Sequence, residues 1–159
     1  MSAGSSVTVR EATPADAEAV AELSRELARV LGDAGNPAPA IQDPATFRRD
    51  GFGPDAAFAV LVAEQGGRAV GYLLHHPGYD PDLGGRTLVV VDLVVTERAQ
   101  RRGVGRALME TAAARCRKAG GKALTWWVRE SNRSAVAFYR SLGGRVYGAT
   151  APLPMHLRV

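Results

Sequence analysis

One apolar run limits the fold more than any other feature, since residues 88–95 read Leu-Val-Val-Val-Asp-Leu-Val-Val. A nearly continuous run rich in β-branched residues is typical of a strand that is covered on both faces. Gly103 and Gly105 follow it, at the start of a segment in which Val104, Leu108, Ala112 and Cys116 recur at helical spacing. A buried strand, a glycine-containing loop and a helix in this order indicate an α/β domain.

The rest of the chain alternates in the same way. Thr13-Pro14 predicts the start of a helix that continues to Gly32, and Asp43-Pro44 predicts a short second helix to Asp50. The other predicted strands are 7–10, 58–64, 69–75, 123–128, 145–149 and 155–159, and the other predicted helices are 103–119 and 132–141. Loops are expected at 32–44 and 77–85. The order predicts a mixed, mostly antiparallel sheet of six to seven strands with about four helices.

Length and composition exclude several classes of protein. The 159 residues suit one domain, expected over 7–159 after a disordered lead-in at 1–6. No apolar run reaches the roughly 18 residues of a membrane span, and no secretory signal is present, so we expect a cytoplasmic chain that does not contact a membrane. The single cysteine, Cys116, fits a packed thiol on a helix, and no Cys/His spacing predicts a metal site.

The segment Gln100-Arg101-Arg102-Gly103-Val104-Gly105 carries the strongest chemical signal. A helix N-terminus offers backbone N–H groups without carbonyl partners, and glycines let an anion approach the backbone closely. Arg98, Arg101, Arg102 and Arg106 add charge to the same turn. The segment therefore predicts a phosphate site rather than a solvated basic turn.

Other phosphate motifs and a polymer partner fit less well. No Gly-x-x-x-x-Gly-Lys-Ser/Thr string occurs, and the glycines follow the fourth predicted strand instead of the first, as a dinucleotide fold would require. The net charge is only +4, and its arginines concentrate at 98–106 instead of forming a stripe. We therefore expect no nucleic-acid partner.

Two motifs together resemble those of the GNAT N-acetyltransferase superfamily. Gln100 to Gly105 is similar to the pattern Gln/Arg-x-x-Gly-x-Gly/Ala, whose backbone amides hold the CoA pyrophosphate. The run from Asn132 to Gly143 resembles the second motif, Asn-x-x-Ala-x-x-Phe-Tyr-x-x-x-Gly. The resemblance covers about residues 7 to 150 and implies the GNAT fold with acetyl-CoA as acyl donor.

The resemblance also implies which residues hold the donor. Backbone amides near Leu93 to Val95 are expected to bind the pantetheine and polarise the thioester carbonyl. The implied donor-binding residues are Leu93, Val94, Val95, Gln100, Arg101, Arg102, Gly103, Val104, Gly105, Arg106, Asn132, Ala135, Phe138 and Tyr139. Asn132 suits a pantetheine contact and also the cap of its own helix.

The segment from Gly85 to Val95 looks most like the diamine branch, which includes spermidine/spermine-type and thialysine-type enzymes. In that branch the central strand reads Leu-Glu-Asp-Leu-Tyr-Val, and the glutamate is implied to act as base through water. Here Val91 stands at the glutamate position, whereas Asp92 is kept. The resemblance therefore leaves the general base unassigned.

Candidate catalytic and acceptor residues follow from the chemistry of acetyl transfer. Tyr139 suits the acid that protonates the leaving thiolate, because a phenol of pKa near 10 stays protonated at neutral pH. Asp92 fits a water-relayed base, an anchor for a cationic substrate or a structural ion pair. His75 and His76 fit either acceptor contacts or ordinary loop-edge histidines. Trp126 and Trp127 are expected on opposite faces of the strand 123–128, so that one packs in the core and the other, with Trp127 as the candidate, walls the acceptor cleft or a subunit interface.

The sequence as a whole predicts an acetyl-CoA-dependent N-acetyltransferase acting on a primary amine of a small molecule by direct attack. A protein or peptide acetyltransferase and a catalytically idle acyl-CoA-binding module remain as alternatives. The amine itself is not specified by any readable motif, and a homodimer is expected only by analogy with the family.

Overall fold

The computed structural model describes residues 6–32 and 43–146 of the chain. These residues fall into two compact units, one up to Trp127 and one from Val128. The first unit holds the sheet and three helices, and the second holds one helix. The prediction of a single domain over 7–159 stays a prediction.

The first unit contains five strands and three α-helices in an alternating order. They are β1 (Thr8–Glu11), α1 (Ala17–Gly32), α2 (Pro44–Gly51), β2 (Ala59–Gln65), β3 (Arg68–Asp80), β4 (Gly85–Val95), α3 (Val104–Lys118) and β5 (Ala123–Thr125). Short 3-10 turns at Pro14–Asp16 and Glu97–Ala99 precede α1 and α3. The second unit contributes α4 (Arg133–Ser141).

The sheet runs in the order β1-β2-β3-β4-β5. The first three pairings are antiparallel, and β4 pairs with β5 in parallel. The expectation of a mixed, mostly antiparallel sheet with four helices is therefore confirmed. The expected six to seven strands are not matched, because the described ranges contain five; the predicted strand at 155–159 and most of that at 145–149 lie outside them.

Helix α2 starts where the sequence predicts, whereas the start predicted at Pro14 is a 3-10 turn and α1 itself begins at Ala17. The Asp43 carboxylate accepts hydrogen bonds from the backbone N–H groups of Ala45 and Thr46, and Pro44 begins α2. At the entrance to α1, the Thr13 backbone N–H and hydroxyl both donate to Asp16. Such caps satisfy N–H groups that a helix leaves unpaired.

The hairpin of β3 and β4 is longer than expected. The loop predicted at 77–85 is wrong, since the pairing continues from Pro77↔Leu88 to Asp80↔Gly85 and the turn shortens to residues 81–84. The Asp80 carboxylate accepts hydrogen bonds from the N–H groups of Asp82 and Leu83, which closes the turn. Proline and glycine suggested a loop, but the pairing of β3 with β2 ends at His75, and a strand edge that is not paired tolerates both residues.

Two layers of helices cover the sheet. The side chains of α1 and α2 form one core with alternate residues of β2, β3 and β4, among them Val20, Phe47, Val62 and Tyr72. Helix α3 packs against β2 to β5. Its start lies close on β3, because a Cβ at Gly71 would come within 3.4 Å of Val104 Cγ1 and 2.6 Å of the Val94 carbonyl oxygen. This contact fixes the start of α3 against β3.

Candidate active site

The loop that the sequence assigns to phosphate lies directly after β4. Gly103 precedes α3 with φ 82°, and Arg101 has φ 60°, so the chain passes twice through the left-handed region within three residues. A side chain other than glycine is uncommon there, and Arg101 is the one described non-glycine residue with positive φ. The predicted start of the helix at Gly103 is correct to within one residue, with Gly103 as the N-cap.

The loop presents donors and positive charge together. Helix geometry leaves the N–H groups of the first turn of α3 without carbonyl partners, and the helix dipole adds partial positive charge. Arg101 and Arg102 are exposed, and neither has an ion-pair partner in the described part of the chain. Arg106 is 3.7 Å from Glu110, one turn further along. Gln100 is anchored, since its side-chain amide donates to the Val95 carbonyl oxygen at 3.2 Å.

The edge of β4 opens next to this loop. Pairing with β5 covers Thr87 to Val89 and ends at Val89↔Thr125. From Val90 to Val95, β4 continues without β5 beside it, while its other edge stays paired with β3. Of the described strands, none pairs with β4 on this side from Val90 to Val95, so a ligand that lies in an extended form against Leu93 to Val95 would meet a strand edge.

A register shift falls in the middle of β4. Leu74 pairs with Asp92, whereas the next residue, His75, pairs with Val90, so Val91 is the extra residue of a bulge. A bulge re-aims side chains and often lies beside a functional site. Val91 is 48% exposed, unlike the buried Val90 and Val94. Val91, at the position where the diamine branch has glutamate, is thus a solvent-facing bulge residue.

Asp92 is held by a residue that the sequence analysis missed. The hydroxyl of Tyr72 donates a hydrogen bond of 2.6 Å to Asp92 Oδ2. Tyr72 is fully buried, and burial, followed by the charge and the hydrogen bond of Asp92, raises its pKa well above the usual value for a phenol. Tyr72 therefore stays protonated as a donor and favours the charged form of the carboxylate.

His75 and His76 have different surroundings. His75 is buried, lines a cavity beside α3, and has a pKa lowered to about 4, first by burial and then by Arg115 and His76. His76 is partly exposed, and its Nδ1 lies 2.8 Å from the Pro77 carbonyl oxygen. Tyr72 and Asp92 instead belong to the side of the sheet covered by α1 and α2. The structure does not bring His75 together with Asp92.

The tryptophan prediction rested on a strand that ends early. β5 stops at Thr125, so Trp126 and Trp127 lie beyond it and the alternation of faces expected of a strand does not apply. Trp127 is 77% exposed. Its assignment as an acceptor contact stays a prediction.

The second unit has the form expected of the second motif. Asn132 caps α4 by accepting a hydrogen bond from the Ala135 N–H at 3.2 Å. The Phe138 and Tyr139 rings stand 5.2 Å apart, and both residues are partly exposed. At the other end, the N–H of Gly144 donates to the Tyr139 carbonyl oxygen and Gly143 has φ 88°, which is a Schellman cap. The cap role of Asn132 uses its side-chain oxygen.

Across the described ranges, no three His, Cys, Asp or Glu side chains form a cluster that could hold a metal ion. Within the same ranges, no helix has both the length and the apolar character to cross a membrane.

A family model described as "Acetyltransferase (GNAT) family" matches residues 20–143. The chain belongs to this family and is an N-acetyltransferase, as its motifs predicted.

Two relatives and one solved structure are consistent with this family. The thialysine N-epsilon-acetyltransferase of Sus scrofa is 31% identical over 150 residues, which cover 88% of this chain and 85% of that protein. The L-ornithine N5-acetyltransferase NATA1 of Arabidopsis thaliana is 30% identical over 107 residues, covering 67% of this chain. The chain spans only 42% of the length of that relative. An integron cassette protein of V. cholerae shares the fold, with TM-score 0.78, 21% identity and coverage of 96% and 94% of the two chains.

Proposed function

We propose that this N-acetyltransferase uses acetyl-CoA as donor and transfers the acetyl group directly to a primary amine of a small molecule. The observation that carries the proposal is the open edge of β4 beyond Val89, next to the basic loop at the start of α3. The loop would bind the pyrophosphate, and the open edge would hold the pantetheine. Donor and acceptor would react in a ternary complex without a covalent enzyme intermediate.

The donor side rests on charge and backbone geometry. The left-handed turn at Arg101 and Gly103 leaves open space at Gly103, where an added Cβ would meet nothing within 4 Å. A diphosphate is an anion that fits N–H groups at a helix start and neighbouring arginines. Arg101 and Arg102 would supply the charge.

The reaction needs a base and an acid. The amine nitrogen attacks the thioester carbon, the N–C bond forms, and the C–S bond breaks. Asp92 would bind the cationic amine and take its proton through water, and the hydroxyl of Tyr72 would hold its carboxylate in place. Tyr139 would donate its phenolic proton to the leaving thiolate. Backbone amides near Leu93 to Val95 would stabilise the negative charge on the carbonyl oxygen.

The small-amine acceptor is supported by the relatives. Two of them are named for amino groups of small molecules, thialysine and L-ornithine. Valine at position 91 in place of glutamate argues for an acceptor other than a polyamine, or for a base other than that of the diamine branch. The rival functions are a peptide acetyltransferase and an idle acyl-CoA-binding module.

An amine panel tests the proposal. Release of CoA from acetyl-CoA would be followed with thialysine, L-ornithine, spermidine, a lysine-containing peptide and no acceptor. Faster release with at least one small amine, together with its acetylated product by mass spectrometry, is the expected result. Turnover on the peptide alone would support a peptide acetyltransferase. Binding of CoA without turnover on any amine would support an idle acyl-CoA-binding module. The cytoplasmic location and the homodimer stay predictions.

A further inference from the structure

A cavity lies at the end of the sheet opposite the loop proposed to bind the pyrophosphate. It has a volume of about 650 Å³ and lies between the C-terminal half of α3 and the strand ends where β2 and β4 begin. Small-molecule pockets usually measure roughly 300–1,000 Å³. The loop that would bind the donor follows the C-terminal end of β4, so the two places lie at opposite ends of this strand.

The inner wall of the cavity is apolar. Phe58 lines it just before β2, Leu88 from β4 and the buried Cys116 from α3, and the exposed Ala119, just after α3, adds a methyl group. The Cys116 thiol is 3.3 Å from the Ala123 carbonyl oxygen, which accounts for its polar atom. An apolar wall of this kind favours the hydrocarbon part of a ligand.

Most of the charged side chains that line the cavity are cationic. Among the described residues that line the cavity, the charged ones are Arg86, Arg115, Lys118 and Glu11. Glu11 is already paired with Arg115. Arg86 and Lys118 are exposed, and no ion pair to either is formed by the residues that the structure describes. Two cations therefore remain available to an anionic group at the cavity.

A buried polar side chain faces the same space. His75 lines the cavity at 7% exposure, and neither of its ring nitrogens has a hydrogen-bond partner among the described residues. Both nitrogens are shielded from solvent, so the cavity is lined by other atoms of His75.

From the apolar wall and the two cations that form no ion pair with the described residues, we propose that this cavity binds a small amphipathic carboxylate, separately from acetyl-CoA. The hydrocarbon part lies against Phe58 and Leu88, and the carboxylate lies near Arg86 and Lys118. The proposal goes beyond the acetyl transfer and does not depend on it, because it concerns the other end of the sheet.

Octanoate is the probe for this site, and octan-1-ol is its uncharged match. Calorimetric titration should show octanoate binding, with octan-1-ol weaker by about tenfold, which corresponds to about 1.4 kcal/mol. Saturating CoA should leave the octanoate affinity unchanged. Absence of octanoate binding below about 1 mM would overturn the proposal. So would competition by CoA, because the carboxylate would then occupy the donor site.

Two matched pairs of variants locate the binding. Lys118→Glu should weaken octanoate about fivefold, whereas Arg117→Glu, an exposed neighbour that does not line the cavity, should leave it within about twofold. Ala119→Trp should fill the cavity and abolish binding, while Ala114→Trp, exposed on the same helix, should not. All four positions are exposed, so circular dichroism should show unchanged folding. Equal effects within either pair would place octanoate elsewhere and sink the proposal.

Octanoate binding and acetyl transfer are measured separately. Absence of octanoate binding, together with normal turnover on the amine panel, would overturn only the proposed carboxylate site. Octanoate binding without turnover on any amine would overturn only the proposed reaction.

Discussion

The Tyr72 hydroxyl donates a hydrogen bond of 2.6 Å to the Asp92 carboxylate, across the paired strands β3 and β4. The two residues are diagonal neighbours, since Tyr72 is opposite Val94 and Leu74 is opposite Asp92. A partly buried carboxylate in an apolar strand would cost several kcal/mol without such a partner. The pair therefore explains how β4 tolerates a charge, and it gives the proposed base a fixed position.

Tyr72→Phe removes the donor and leaves the ring in place. We expect the free energy of unfolding at pH 7 to fall by about 1.5–3 kcal/mol, the usual range for a hydrogen bond to a charged group. Urea unfolding measures it. Tyr79→Phe is the control, because Tyr79 is 72% exposed. If Asp92 is the base, the turnover number of Tyr72→Phe also falls; unchanged stability would mean that the bond contributes little.

Tyr139→Phe tests the acid. Loss of a general acid should lower the turnover number by about 10²–10⁴-fold, with little change in the KM for acetyl-CoA. Steady-state kinetics on the best amine of the panel measures both constants, and Tyr79→Phe again serves as control. If Tyr139→Phe keeps full turnover while Asp92→Asn abolishes it, the assignment of Tyr139 is wrong.

Gly103→Ala tests the pyrophosphate site. Gly103 and Gly53 both have positive φ (82° and 90°), and an added Cβ meets nothing within 4 Å at either. Both alanine variants should therefore lose a similar stability, about 1 kcal/mol. Only Gly103→Ala should weaken CoA binding, measured by calorimetry, because the new methyl occupies space proposed for the diphosphate. Equal CoA affinity in the two variants would move the site away from this loop.

His75 should make the stability depend on pH. Its pKa is lowered from 6.5 to about 4 in the folded chain, chiefly by burial. Between these values the unfolded chain binds a proton that the folded chain does not, so stability falls as pH decreases from about 6.5 to about 4. We expect the free energy of unfolding to fall by a few kcal/mol over that range. Urea unfolding at several pH values measures this change.

His75→Phe supplies the comparison for this slope. It removes both unpaired ring nitrogens, so the pH dependence between 6.5 and 4 should flatten, with stability at pH 7 maintained or raised. His76→Phe, at a partly exposed position, should keep the slope. The same slope in His75→Phe as in the unsubstituted chain would assign it to other groups.

Local signals predicted the helices and the donor loop well. Asp43 and Asn132 cap α2 and α4, because a cap depends on residues only two or three positions away. The glycines at 103 and 105 mark the start of α3 for the same reason. The loop at 77–85 was wrong because cross-strand pairing, which is not local, extended both strands through it.

By itself the sequence determined the family, the order of the elements and the loop proposed to bind the donor, since each depends on short motifs and caps. The tertiary structure decided the environment of the side chains. The bulge at Val91, the bond from Tyr72 to Asp92 and the separation of His75 from Asp92 all depend on how β3 pairs with β4. A shift of one residue in that register changes which face a side chain occupies, and no local motif specifies it.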